Sequence, residues 1–546
     1  MQINAAASVG RIKSRPRRSG GFWSTIPSIA TILSTAFEYI DPTNAATITG
    51  SPAAVVASPL SGGFVNAPNF QRGTLASPAD RPAVSGSGAS TRLVFDGTND
   101  VLDGSAGYTY VSAQRPGDPA YSEPGKGPTT VGLWVMSDGK VAIGHYGKKN
   151  ELTQAGETFN GSICIYPSIN NLEVPPVEHR FVEDFGLANV GVQGVVQDPE
   201  SGNLWVADTQ NGRIYELNLT THAVVHNFAF AGANGLAYDT INNRLIVSIA
   251  TSATVTYVNK ATGATISTFT IRDITNNTLD HVFFDGSYGT AGALYTVCRD
   301  NGTNGRIMKY DIGAGYTPIK AWSISELKAA EGGLHVAGNT FYICDDEYYH
   351  NQVAGVNRVI KITVDDSTPD YGTRLILAGV CKIAATPGAT VALLTGGDAL
   401  TSGAPNRKGV GLFFTVTANQ FRLITRNLAL QAVFDWALTS TTTEFIFYID
   451  IDTVLHTATL YVNGTLISTL TDATNLTGSI PRLLWTLGAS YENSALPSRF
   501  SNTTHGGFIA HGEYRYQAEI EGWLASRTGN QALLRTGHSY KTAAPA

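Results

Sequence analysis

Charge is scarce in this chain: Asp, Glu, Lys and Arg make up only 15% of its 546 residues, against roughly 25% in an average soluble protein. Methionine occurs only 3 times, and with Lys and Glu also infrequent, a helical bundle is excluded as the organising architecture. Cysteine is rare too. Cys164, Cys298, Cys344 and Cys381 are widely spaced with no CxxC pair, so neither a zinc framework nor a disulfide scaffold is expected. In a run such as SICIY (162–166) a cysteine acts as a small hydrophobe. No apolar run approaches the ~20 residues that a membrane helix needs. The start, MQINAAASVGRIKSRPRR, has no hydrophobic core, so a soluble product without a signal peptide is expected. GxSxG, HExxH and Walker patterns are all missing, and with them the sequence signs of those hydrolytic and nucleotide-binding chemistries.

What is abundant is Thr, Val, Ile, Tyr, Phe and, with 57 residues, Gly. That mixture favours strands joined by tight turns, and an all-β fold in two or more cores is expected. The net charge of −6 argues against nucleic-acid binding by the chain as a whole. The exception is local: Arg11, Lys13, Arg15, Arg17 and Arg18 form a basic arm. It is either a solvated terminus or a peg for an acidic protein surface or packaged nucleic acid.

The middle of the chain repeats. GVVQDP (194–199), GNLWVAD (202–208) and GRIYEL (212–217) are followed by GLAYD (235–239), NRLIVS (243–248) and TVTYV (254–258). A third copy runs through HVFFD (281–285), ALYTV (293–297) and GRIMKY (305–310), and a fourth through GLHV (333–336), NTFYIC (339–344) and RVIKI (358–362). VGLWV (131–135), KVAI (140–143) and ICIY (163–166) supply one more. Four strands per repeat at spacings in the forties of residues predict a β-propeller of five blades, or six if an irregular one is present. The repeat grammar resembles NHL and SMP-30/gluconolactonase-like propellers over about 130–366.

The flanks read as two pieces of one further domain. LVFDGTNDVL (93–102) lies upstream; ILAGVCKIA (376–384), GLFFTV (411–416), EFIFYID (444–450), TATLYVNGTLI (457–467) and AEIEGWLA (518–525) lie downstream. This order resembles laminin-G/concanavalin-like jelly rolls, with Asn463-Gly464 suited to a type I′ turn. The next sandwich strand after Leu102 waits until about Leu375, so the propeller is read as an insertion in a sandwich loop. The expected division is a basic anchoring arm at 1–20, the first part of the sandwich at 21–113 and a Pro/Gly-rich linker at 114–129. The propeller then occupies 130–366, and the second part of the sandwich 367–546.

The resemblance to SMP-30-like propellers implies a divalent cation at the channel mouth, held by polar residues just before each inner strand. The matching positions are Gln193, Asn234, Asp280 and Glu331, an oxygen set suited to Ca²⁺; the alternative is that each caps a turn. Asp96, Asn99 and Asp100 would offer oxygens to Ca²⁺ in the manner of some laminin-G relatives, against a reading as a structural Asx turn. Asp345 and Asp346 followed by Tyr348 and Tyr349, with Trp322, are the candidate glycan contacts, through stacking and carboxylate hydrogen bonds. No catalytic residues are assigned.

The two ends of the chain resemble structural proteins of tailed bacteriophages. The resemblance implies a virion component such as a tail fibre, spike, collar or capsid decoration. It also implies contacts to other virion proteins through the arm, host surface glycans as ligands, and a homo-oligomer. The alternative is a polysaccharide- or lactone-acting enzyme with a catalytic propeller and a carbohydrate-binding sandwich. A surface adhesin is disfavoured by the expected lack of an export signal.

Overall fold

The computed structural model describes residues 37–40, 69–70, 82–105, 107–117, 130–146, 161–249, 252–271, 279–300, 304–324, 326–327, 332–346, 357–364, 366, 370–384, 389–397, 408–415, 419–490, 498–512 and 517–538. They form an all-β protein of five four-stranded antiparallel sheets and two larger ones. One helix of 11 residues, Gln517–Arg527, and short 3₁₀ turns accompany them. Among the described residues no helix is long and apolar enough to cross a membrane.

The first four small sheets are each built from consecutive strands. They begin with the inner strands Thr130–Val135, Val192–Gln197, Ala233–Asp239 and Leu279–Asp285. Alternation along a strand sends successive side chains to opposite neighbours. In the second sheet Leu204 and Val206 pack toward the first sheet, while Trp205 and Ala207 pack toward the third. The fifth sheet is composite. Its strands Leu334–Ala337, Thr340–Asp346 and Asn357–Val364 are completed by Tyr108–Gln114, which comes from before the first sheet. Each inner strand touches the inner strand of the next sheet, and Leu334–Ala337 touches Thr130–Val135. The five sheets therefore form a ring.

Glycine makes this close approach possible. A Cβ on Gly194 would lie 2.5 Å from the Asn234 carbonyl oxygen, and one on Gly235 would lie 2.6 Å from the His281 Cα. Gly132 and Gly333 meet Gln193 and Leu133 in the same way, at 2.8 and 2.2 Å.

The two larger sheets stack face to face. In the eight-stranded sheet, Thr503–His511, Arg374–Ile383 and Phe445–Asp452 are central. The seven-stranded sheet runs Asn69–Phe70, Leu102–Ser105, Trp485–Leu487, Val391–Gly397, Lys408–Phe414, Gln420–Asn427 and Leu430–Ala437. Along Arg374–Ile383, Leu375, Leu377, Cys381 and Ile383 face the core between the sheets; Ile376, Ala378 and Val380 face the helix on the outside. The hairpin at Asn463-Gly464 forms with both residues at positive φ, 50° and 78°, as the type I′ reading requires. All four cysteines are buried and none is in a disulfide.

The ring and the stacked sheets are joined tightly. Leu484 sits in the apolar cluster of the third and fourth small sheets. Its amide donates to the Pro318 carbonyl at 3.1 Å. The Lys408 amide donates to Thr317 Oγ1 at 3.1 Å. Lys309 Nζ, only 3% exposed, meets Asp366 Oδ2 at 2.7 Å where the chain leaves the ring.

One boundary expected from sequence is corrected. The first piece of the sandwich does not extend to 113, because Tyr108–Gln114 pairs with Asn357–Val364 in the fifth small sheet. The following residues are also packed: Gln114 bonds the main chain of Ile169 and Leu172, and the Gly117 amide donates to the Leu172 carbonyl. Without that strand Asn357–Val364 would be the outer edge of a three-stranded sheet, with a row of unpaired backbone donors and acceptors. Tyr108–Gln114, from the other end of the ring segment, covers the edge of Asn357–Val364 and becomes the outermost strand of that sheet. The arm at 1–20 and the remaining linker residues 118–129 lie outside the described residues.

Candidate functional site

The inner strands bring three of the four proposed cation-site residues to one end of the ring. Gln193, Asn234 and Asp280 each precede the position at which neighbouring inner strands touch. Gly333 meets Leu133 N as Gly194 meets Leu236 N, so Gly332 occupies the matching place in the fifth sheet and Val131 in the first. Glu331 falls one position earlier and lies outside the described residues.

Asn234 is 3% exposed and Asp280 5%. The Asn234 amide nitrogen donates to the Leu279 carbonyl at 3.3 Å, which leaves its side-chain oxygen as an acceptor. Gln193 Oε1 is buried with no hydrogen-bond partner among the described residues. Between the third and fourth inner strands, Ser248 Oγ accepts the Gly235 amide at 2.7 Å and stands 3.3 Å from the Asp280 carbonyl. These donors suit an oxygen-ligated cation of the Ca²⁺ type rather than a soft metal. They carry a single formal negative charge, so such a site would bind weakly. Among the described residues no three His, Cys, Asp or Glu side chains come together.

Sequence reasoning passed over one member of this ring. His281 stands where the other four sheets have glycine, and it is fully enclosed. Burial pushes its pKa down to about 4, so it is neutral near pH 7. The signal was present: aligning the five copies shows a single histidine among glycines at 132, 194, 235, 281 and 333.

Two other proposed sites are occupied by the protein itself. Asp96 Oδ1 accepts the amides of Thr98 and Asn99 at 2.7 and 3.3 Å, and Asp100 Oδ2 accepts the Asp96 amide at 2.7 Å. With Gly97 at φ +80°, FDGTND is the Asx turn of the structural reading. The glycan-contact reading of Trp322 and Asp345 is corrected. Trp322 is fully buried, stacked near Tyr295 and edge-on to Phe341, because its strand packs against the fifth sheet instead of facing solvent. Asp345 is buried, and its Oδ2 takes a fork of bonds from Arg358 at 3.0 and 2.9 Å. A ligand would have to break that pair to reach the carboxylate. The side chain of Asp346 and all of Tyr348 and Tyr349 lie outside the described residues.

No family model and no curated protein sequence matches this chain. Among solved structures, Myxococcus xanthus glutaminyl cyclase is similar at 14% identity and a TM-score of 0.33, over 47% of this chain and 97% of that one. Trypanosoma rangeli sialidase is similar at 8% identity and a TM-score of 0.29, over 80% and 96%. The Ruminococcus gnavus IT-sialidase CBM40 bound to α2,3-sialyllactose is similar at 16% identity and a TM-score of 0.24, over 28% and 83%.

Proposed function

We propose that the five small sheets are the blades of a five-bladed β-propeller inserted in a concanavalin-like sandwich. We propose further that the chain is a non-enzymatic structural component of a tailed-phage virion. In this reading the basic arm contacts other virion proteins. The sandwich carries the propeller, and the propeller mouth faces a host glycan or a protein partner, with Ca²⁺ as a candidate ion at Gln193, Asn234 and Asp280. The homo-oligomer expected from the resemblance belongs to the same proposal.

The observation that carries it is the double connection between the two halves. The chain enters the ring by the strand that also completes its fifth sheet, Tyr108–Gln114, and leaves beside the Lys309–Asp366 pair. Together with the Leu484 contact, this supports a stiff projecting module better than a tethered one. Inner strands locked by glycine contacts make a rigid platform of the same kind.

The test is biochemical. Peptides of this chain should be found by mass spectrometry in purified phage particles at a stoichiometry matching a symmetric appendage. Recombinant chain should bind to a glycan array or to host cells without releasing sugar. Its absence from purified particles would refute the virion assignment, and steady product release from host polysaccharide would replace it with an enzyme.

A further inference from the structure

A strand at the edge of a sheet can pair with another chain, and proteins guard such edges with bulges, charges, shortness or a cover. Among the described residues all but one of the outer sheet edges are guarded in one of these ways. The strands Ala223–Ala229, Thr265–Thr270 and Tyr108–Gln114 each skip one residue in their register, at Val225, Ile266 and Val111. Thr465–Thr471 does the same at Ile467. Each extra residue makes a bulge that breaks the ladder an incoming strand would need. Glu178–Phe181 holds two charges, Glu178 and Arg180, in four residues. Thr317–Ile324 is covered by the stacked sheets through Pro318 and Thr317. Ala83–Ser85 and Asn69–Phe70 are three and two residues long.

Leu430–Ala437 is the exception. It is the last strand of the seven-stranded sheet and runs eight residues in unbroken register with Gln420–Asn427. Among the described residues no strand pairs with its other side. The Leu438 amide donates to the Asn419 carbonyl at 2.6 Å, and hydrogen-bonded pairs alternate along an antiparallel ladder. The backbone groups of Ala432, Phe434 and Trp436 therefore turn to Gln420–Asn427, and those of Gln431, Val433 and Asp435 turn outward. Val433 is 45% exposed. The one charge of the strand, Asp435, is held by Arg422 at 2.6 and 2.7 Å.

We propose that this edge pairs antiparallel with the same edge of a second copy of the chain, about a two-fold axis at Val433. The two sheets then continue into one another, with like faces on the same side. Small meets large, since Ala432 opposes the partner's Phe434, and both belong to the core between the sheets. Gln431 opposes the partner's Asp435. The side-chain oxygen of Gln431 already accepts from Arg426 at 2.6 Å, so its amide N–H groups are the ones left to face that carboxylate. No like charges meet. An axis at Phe434 would instead set Asp435 against the partner's Val433. An edge of this length spans about 27 Å. Pairing it buries on the order of 1,000 Å² in all, the low end for a specific interface, so the dimer is weak and depends on concentration. This contact does not depend on the virion reading: a chain missing from phage particles would still dimerise.

Sedimentation velocity of the full chain from about 1 to about 200 μM tests this, the range suited to a small interface. A monomer–dimer equilibrium is expected. Val433→Lys sets two like charges opposite each other and should weaken the dimer about tenfold or more. Ile467→Lys, on the bulged edge, should change the dissociation constant less than about twofold. Melting temperatures of both variants at the lowest concentration should stay within about 2 °C of the parent, as for other surface substitutions, which separates a lost contact from a lost fold. Directly opposed residues lie about 5.5 Å apart at Cα, within reach of a disulfide, so Val433→Cys treated with oxidised glutathione should give a cross-linked dimer. A chain that stays monomeric at the highest concentration would overturn the proposal. So would a dimer that Val433→Lys leaves intact, or a Val433→Cys chain that does not cross-link.

Discussion

The ring contact at Gly194 gives a quantitative test of the architecture. In Gly194→Ala the new methyl would stand 2.5 Å from Asn234 O, 2.8 Å from Leu236 N and 3.1 Å from Gly235 C. All three are main-chain atoms of the next inner strand, so no side chain can swing away and the third sheet must move. Overpacking of this kind costs about 1–3 kcal/mol, and rigid backbone on the receiving side places it at the upper end. The usual gain of Gly→Ala through the unfolded chain, about 0.4–1 kcal/mol, offsets only part. A net loss of about 2 kcal/mol in a unit of this size lowers the melting temperature by roughly 4–8 °C. Differential scanning calorimetry reads this directly. Gly313→Ala is the control, because its methyl would be 3.3 Å from Asp311 Oδ1 and 3.6 Å from Ala291 Cβ, and it should shift the transition by less than about 2 °C. A Gly194→Ala transition as small as that of the control would refute the close approach of the inner strands. It would also remove the ring as the frame for the site.

Three further outcomes follow from other contacts. Asp366→Ala leaves Lys309 buried without its partner and should cost about 3–5 kcal/mol in chemical denaturation; Lys309→Met combined with it should restore most of that loss. Glu521, beside His538 at 3.2 Å, has its pKa raised to about 7 by burial, so its contribution to stability is complete below about pH 4.5 and is lost as pH rises through 7. Glu521→Gln should therefore match the parent near pH 4.5 and melt higher at pH 8, by up to about 3 kcal/mol; parallel melting curves of the two proteins from pH 4.5 to 8 would contradict this. If the axial oxygens hold Ca²⁺ with an affinity near 1 mM, 10 mM CaCl₂ should stabilise the protein by about 1.4 kcal/mol. Asp280→Asn should abolish that response in a thermal melt, and an identical response in the variant would remove Asp280 from the ligand set.

Much of the local structure is legible in the residues themselves. Alternating apolar positions mark the strands, Asn463-Gly464 marks its hairpin, and the Asp-rich turn at 96–100 carries its own hydrogen-bond acceptors. The helix at Gln517–Arg527 stands where AEIEGWLA places it. The candidate glycan contacts were less legible. An aromatic such as Trp322 has the same pattern on an exposed loop strand as on a packed one, and only the fifth sheet laid against it decides that it is core. Asp345 reads as an available carboxylate until Arg358, 13 residues on, is seen to occupy it.

The scarcity of charge and of helix formers, together with the periodic Gly, Val, Tyr and Asp pattern, determined by itself that this chain is all-β and repetitive. Those features act within a strand or turn, where neighbouring residues supply the governing sterics and hydrogen bonds. The tertiary structure alone decided which strand completes the fifth small sheet and which carboxylates are already paired. Each of those outcomes joins residues far apart in the chain: Tyr108–Gln114 with Asn357–Val364, and Lys309 with Asp366. The energy of such contacts is set by geometry and desolvation at the meeting point, which no local pattern encodes.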